Sequence, residues 1–456
     1  MRSAISSAAV CLTTACLTIG GLLVTAPAVA AAAPVKASTA AAAPVKASTC
    51  NVIDASKAMN DLPASADCLT TSGTSGTRAA QAVRPSTSPV SPTTTISSSP
   101  RSFDRTNGDI LAITKVQGAA VGEIAFGGNF SAVITPDGVS HNAKNFAIVS
   151  ESTGAVLYAG NANSYVRSIT SLNGVTYVGG DFSSFGGQSR SHAAAVSATF
   201  GITSWNPKPS ATVRALAAAG STVFMGGSFS AVRAVSSSTG STVWSKSTSG
   251  GDVHSLLATN GTLYAGGLFE KYNGTTQHGL VKITPSSGSL VTAFNAHLRA
   301  DTGVGSTGQY DGEEIISLSV GPNSGEILAG SGGHAPAGDS SNEAIVVNAN
   351  TGSRVWTTSL IGDCQGIGLV GSTLVAGYHR NTANSSTPFP YFATQLELSN
   401  GRLTTWDPKI TGNQSNADGG NNGVQAIYVD QSTHVLYLAG AFTSPSAHKS
   451  LIAFSF

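Results

Sequence analysis

The side chains of this sequence that are equipped for chemistry recur at two fixed positions of a repeated strand, not in one local motif. The residues that open these strands are Asp109, Tyr165, Thr212, Asp252, Glu314, Asp363 and Gly423, and two positions later stand Leu111, Arg167, Arg214, His254, Ile316, Gln365 and Gln425. Brought to one rim, they set four carboxylates above two arginines, a histidine and two glutamines. Two carboxylates held roughly 5 to 9 Å apart can hydrolyse a glycosidic bond. A histidine among acids can move a proton, and the same groups can exchange hydrogen bonds with ligand hydroxyls. A local role competes with all of these: in Gly108-Asp109, Gly251-Asp252 and Gly362-Asp363 the carboxylate is suited to accept backbone N–H groups at a turn.

Length differences between the repeats point to the same rim. The stretches 295–313, 378–392 and 411–423 are longer than their counterparts and bring in Asp301, Tyr310, Asp311 and Glu313, then Tyr378, His379, Arg380, Phe389, Tyr391 and Phe392, then Asn413, Asp418, Asn421 and Asn422. Long loops on a rigid scaffold are where binding residues gather. The candidate ligand-binding set is therefore Asp252, His254, Asp311, Glu313, Glu314, Asp363, Gln365, His379, Tyr391 and Gln425. Tyr391 is expected to cover the apolar face of a ligand. No cofactor is expected, with calcium as the variant, since convergent oxygens suit a hard cation. The sequence contains no H-E-x-x-H, C-x-x-C, nucleophile elbow or phosphate loop, so a catalytic role has no motif behind it.

The elements that must position these residues are strands. From residue 103 onward the sequence repeats itself in the runs IAFGGNFSAV, TYVGGDFSSFGG, VFMGGSFSAV and LYAGGLFEKYNG, with weaker copies ILAGSGG, LVAGYHRN and LYLAGAFTS. Their first glycines are assigned as Gly127, Gly179, Gly226, Gly266, Gly330, Gly377 and Gly440. Apolar alternation, β-branched residues and Gly turns predict four short strands per unit, and a period of this length marks a repeat architecture. The predicted fold is all-β, a seven-bladed β-propeller, which limits exposed strand edges by setting its sheets radially about a channel. The last unit reads as three strands. Ser102-Phe103-Asp104 matches Ser204-Trp205-Asn206, so an N-terminal strand around Phe103 is expected to complete the last blade. Trp205, Trp244, Trp356 and Trp406 fall at the ends of fourth strands and are expected in the core, as are Phe130, Phe182, Phe229, Phe269 and Phe442. His192 and His278 read as equivalents before third strands.

NGVTYVGGDFSSFGG followed by RSHAAAVSATFGITSWNPKPSATVRAL resembles the delta-60-type (Y-x-G-G-x-F) β-propeller repeats of secreted actinobacterial proteins. The resemblance spans about 103–456 and implies a propeller. It carries no chemistry over to particular residues, and Ser331-Gly332-Gly333-His334 and Tyr378-His379-Arg380 depart from the pattern.

Residues 1–30 read as a secretory signal peptide, with Arg2, an apolar stretch and Ala28-Val29-Ala30. Residues 31–102 read as a linker rich in Ala, Pro, Ser and Thr that opens with a duplicated AAAPVKAST. A Cys50–Cys68 disulfide is the expected staple within it, leaving Cys364 as a buried thiol. Charged residues make up 10% of the chain, against roughly 25% in an average domain. Without Arg2 the chain holds 23 basic and 23 acidic residues, which leaves no basic footprint for nucleic acid. These readings converge on a secreted, monomeric binding module for a neutral polymer such as cell-wall or environmental polysaccharide, held by the loop-rich face over blades 5 to 7, with no membrane insertion after signal removal. The alternatives are an extracellular glycoside hydrolase or lyase using rim carboxylates and His254, and a structural cell-surface protein.

Overall fold

The computed structural model describes residues 94–119, 122–300, 312–322, 325–333, 342–379, 392–410, 423–442 and 450–456, all within a compact unit spanning Gly76–Phe456. The signal peptide, Cys50 and Cys68 lie outside the described residues.

Among the described residues there is no helix, and the regular structure is antiparallel β. Among the described residues, two small sheets accompany seven larger meandering ones that follow one another along the chain. We number them 1 to 7 by their first strands: Asp109–Lys115, Val166–Leu172, Val213–Ala219, Val253–Thr259, Glu314–Val320, Cys364–Val370 and Gly423–Asp430. Each first strand lies beside the first strand of the next sheet, and that of sheet 7 lies beside that of sheet 1. The arrangement is propeller-like. The second strands are buried along almost their whole length, as in Val435–Ala441, because the sheets pack face to face. The core consequently sits in the layers between sheets. In the layer between sheets 7 and 1, Tyr437, Leu451 and Ala453 meet Ile110, Phe126 and Val133.

The glycine pair explains how the first strands come so close. A Cβ on Gly226 would sit 2.4 Å from the Val253 side chain of the next sheet, and one on Gly227 would sit 2.1 Å from the Thr212 carbonyl oxygen. The register corrects one assignment: in sheet 7, Ala426 pairs with Ala439 and Val424 with Gly440, so Gly440 is the counterpart of the second glycine. The counterpart of His192 is Gly279, not His278, since both Gly180 and Gly267 donate their N–H groups to those carbonyls.

Two further expectations are modified. Sheets 2 and 6 have three strands, and their fourth runs make only the single bridges Val196↔Ile202 and Leu396↔Leu403. In both, a proline stands two residues after the tryptophan (Pro207, Pro408) and has no N–H to extend the ladder. The segment beside the last strand, Leu451–Ser455, also lies earlier than Ser102-Phe103. Ser97 N–H donates to Ser455 O at 2.8 Å and Arg101 N–H to Ala453 O at 2.7 Å. Ile96 packs among residues of sheets 6 and 7, and Gln395 Nε2 donates to Thr94 O at 2.7 Å. Residues 94–102, which composition places in the linker, are thus packed against the sheets. Phe103 turns inward instead and meets Tyr437 edge-on at 5.2 Å.

The four tryptophans are buried, and their ring nitrogens find backbone acceptors. Trp205 Nε1 donates to Ser236 O at 2.9 Å, tying sheet 2 to sheet 3. Trp205→Phe is expected to cost about 1 to 2 kcal/mol through that bond and the lost volume, measured by urea unfolding; an unchanged midpoint would mean that the indole contributes no more than a phenyl ring.

Candidate functional site

The sheets build their site with one repeated irregularity. In all seven, the pairing of first and second strands skips a residue: Ile110/Ala112, Val166/Ser168, Val213/Ala215, Val253/Ser255, Ile315/Ser317, Cys364/Gly366 and Val424/Ala426 flank the shift. The skipped residues are Leu111, Arg167, Arg214, His254, Ile316, Gln365 and Gln425. A β-bulge of this kind re-aims a side chain, and all seven line one cavity of about 390 Å³, joined by Glu314 and Asp363.

Most of the polar members are held in place. Arg167 grips Asp181 through Nε and Nη2 at 2.7 to 2.9 Å. Burial pushes the Asp181 carboxyl up, but the bonds and charge of Arg167 outweigh it and hold the group below its ordinary range. Arg214 Nε donates to Asp252 Oδ2 at 3.0 Å and to Ser228 Oγ at 3.1 Å, and Ser228 Oγ–H donates to Asp252 at 2.6 Å. His254 Nδ1 pairs with Glu314, while its Nε2 lies 4.0 Å from Asp252, beyond hydrogen-bond reach. The Gln365 amide donates to His379 Nδ1 at 3.2 Å, and His379 Nε2 faces Asp363 at 3.5 Å. Burial pushes the His379 imidazole down, against the raising pull of Asp363.

These contacts sort the candidate residues. His254, Glu314, Asp363, Gln365 and Gln425 line the cavity, and Asp252 and His379 orient members of that lining. Glu313 belongs elsewhere. It is buried, takes two bonds from Arg354 Nη2 at 2.7 Å and accepts the Arg299 N–H at 2.7 Å. Glu343 completes the group on Arg354, so Glu313 works as a structural anchor. Asp311 and Tyr391 lie outside the described residues. The bonds of the Gly-Asp pairs reach beyond their own turns: Asp363 accepts the N–H of Gly333, in the preceding sheet, at 3.3 Å, and Asp252 accepts from the Arg214 and Ser228 side chains.

Sequence reasoning missed Asp181 and Ser228, which hold the two arginines. The signal was present wherever the x position of G-G-x-F is polar and meets the skipped residue of the same sheet: Asp181 by Arg167, Ser228 by Arg214 and, in the degraded copy, His379 by Gln365. Among the described residues, no three His, Cys, Asp or Glu side chains converge as metal ligands would, and no helix is long and apolar enough to cross a membrane.

No protein-family model matches the chain, and no curated protein matches it. Among solved structures, that of U3-55K aligns with a TM-score of 0.50 at 11% identity, over 78% of this chain and 100% of that one. The WD40 β-propeller domain of Doa1 aligns with a TM-score of 0.46 at 11% identity, over 79% and 96%. BamB from Moraxella catarrhalis aligns with a TM-score of 0.44 at 13% identity, over 78% and 86%. At such identities a likeness concerns the fold. The sheet order and the shared cavity make this chain an all-β, propeller-like repeat protein.

Proposed function

We propose that the chain is a seven-bladed β-propeller closed by its own N-terminal segment, and that it works outside the cell as a binding module whose channel mouth takes the hydroxyl-rich end of a polysaccharide. The observation that carries this reading is the cavity to which every sheet contributes one bulged residue. Its lining offers carboxylate acceptors, amides that both donate and accept, guanidinium donors, and two aliphatic residues, Leu111 and Ile316, for the apolar part of a sugar. Small-ligand sites take this form, a concave pocket with a few convergent polar groups.

A glycan array probed with the chain from residue 31 onward tests the reading. At least one glycan class is expected to bind, and Glu314→Gln is expected to weaken that binding about tenfold or more, the weight of one hydrogen bond to a charged acceptor. Absence of binding to every glycan would overturn it.

One geometric feature favours a catalytic variant. Glu314 holds Nδ1 of His254, and Nε2 has no hydrogen-bond partner among the described residues, as in a base oriented by a carboxylate. Release of reducing ends or of unsaturated sugar from a bound glycan, lost in His254→Gln, would establish that variant.

A further inference from the structure

We propose that the mouth selects an acidic sugar, with the carboxylate of a uronic acid residue seated on the free guanidinium edges of Arg214 and Arg167. This rests on the polysaccharide-end reading and replaces the neutral ligand, expected from whole-chain charge, with an anionic one.

The argument begins with which N–H groups are already spent. Arg214 uses only Nε, on Asp252 and Ser228, so Nη1 and Nη2 have no protein partner among the described residues. Arg167 spends Nε and Nη2 on Asp181 and keeps Nη1. Both side chains are about one-third exposed and both line the cavity. The acids that fix the two guanidinium planes lie on their Nε sides, so the remaining donors are pre-oriented at no further entropic cost. The arginines stand on neighbouring sheets, 2 and 3, whose first strands are adjacent. Asp181 feels the charge of Arg214 as well as that of Arg167, which places both cations in one electrostatic neighbourhood. Planar N–H donors of this kind match a carboxylate.

A bare anion is not what the mouth fits. Asp181 and Asp252 already stand on the two guanidiniums, and Glu314 and Asp363 add two carboxylates to the same lining, so a ligand must bring hydroxyl donors together with its carboxylate. In the ring order, sheets 5 and 6 lie opposite sheets 2 and 3. Glu314 and Gln365 are on that far wall, in place to exchange hydrogen bonds with sugar hydroxyls while the carboxylate occupies the arginine side. Leu111 and Ile316 between them suit the C–H face of the ring. A hydroxyl-rich carboxylate, the chemistry of a uronic acid, satisfies both walls.

Isothermal titration of the mature chain with four probes tests this: free galacturonic acid, an oligogalacturonate, a neutral galacto-oligosaccharide of the same length, and sodium acetate. The expected result is an oligogalacturonate affinity at least about tenfold above that of the neutral oligomer, no measurable acetate binding, and a preference that collapses toward unity in Arg214→Gln. Arg214→Lys keeps the charge but not the paired N–H edge, and is expected to fall between the two with an unchanged melting temperature, which protects the test if the glutamine variant folds poorly. Binding of the free acid as tightly as the oligomer would support the same chemistry and identify a free sugar acid as the ligand. Equal or tighter binding of the neutral oligomer would overturn the inference while leaving the glycan-binding reading intact. Acetate binding at the strength of the uronates would also overturn it, and a failure of both uronates to bind, with a neutral glycan still bound on the array, would overturn it alone.

Discussion

Raising the pH from about 4 to about 8 should destabilise the protein by about 4 kcal/mol, and Asp104→Asn should abolish most of that loss. Asp104 is fully buried, and among the described residues no other residue offers its carboxylate oxygens a hydrogen bond. Burial pushes its carboxyl up to about 7, against a smaller lowering by its own backbone N–H and with a small raising contribution from Asp137. The folded state therefore holds a proton that the unfolded chain releases near the ordinary carboxylate range. Stability from this group is fully present below that range and is lost as pH rises toward 7, a span of about three pK units at about 1.4 kcal/mol each. The repeat indicates why asparagine should fit: Ser204-Trp205-Asn206, the counterpart of Ser102-Phe103-Asp104, already carries the amide at this position. Asp430 contributes in the opposite sense. Burial pushes its carboxyl up, but bonds from Lys115 and Ser432 hold it far below the ordinary range, so its contribution is present at neutral pH and lost as pH falls through the acid range. Urea unfolding of wild type and Asp104→Asn across this range checks the expectation; parallel profiles would show that Asp104 is not the titrating group.

Deleting residues 1–102 should cost about 5 kcal/mol or more, whereas deleting 1–90 should cost nothing measurable. The longer deletion removes the buried Ile96 side chain, worth about 2 to 5 kcal/mol as a core truncation, and the backbone bonds of Ser97 and Arg101 to the last strand, each worth about 1 kcal/mol. It also bares the edge of Leu451–Ser455, which is then open to pairing with a second chain. Thermal unfolding and sedimentation of both truncations measure the effect. Equal melting temperatures and a monomeric longer truncation would mean that the segment before Phe103 closes nothing.

Much of the fold was legible in the sequence because the signals are local. Repeated glycine pairs, turn dipeptides and alternating apolar runs marked the seven first strands, and the position two residues into each strand identified seven of the nine residues that line the cavity. The aromatics at unit ends were assigned to the core for the same reason, since equivalent positions in stacked sheets face equivalent neighbours.

Other features depended on contacts between residues far apart in the chain, and the tertiary structure alone decided them. The sequence set Glu313 and Glu314 side by side as rim acids. Their side chains part at a strand start, one into a buried group with Arg354 and the other into the cavity beside His254, because successive residues of a strand face opposite ways. The sequence reading put the N-terminal segment that lies beside the last strand several residues late, since its register is set by hydrogen bonds to Ala453 and Ser455, more than 350 positions away. The bulge was invisible to any one-strand reading, since it exists only as a mismatch between two paired strands. The sequence by itself determined which side chains could meet, because periodicity and turn chemistry are written residue by residue. Their presentation to one cavity, on orienting partners such as Asp181 and Ser228, was decided by sheet pairing and ring packing, which bring together groups that no local pattern connects.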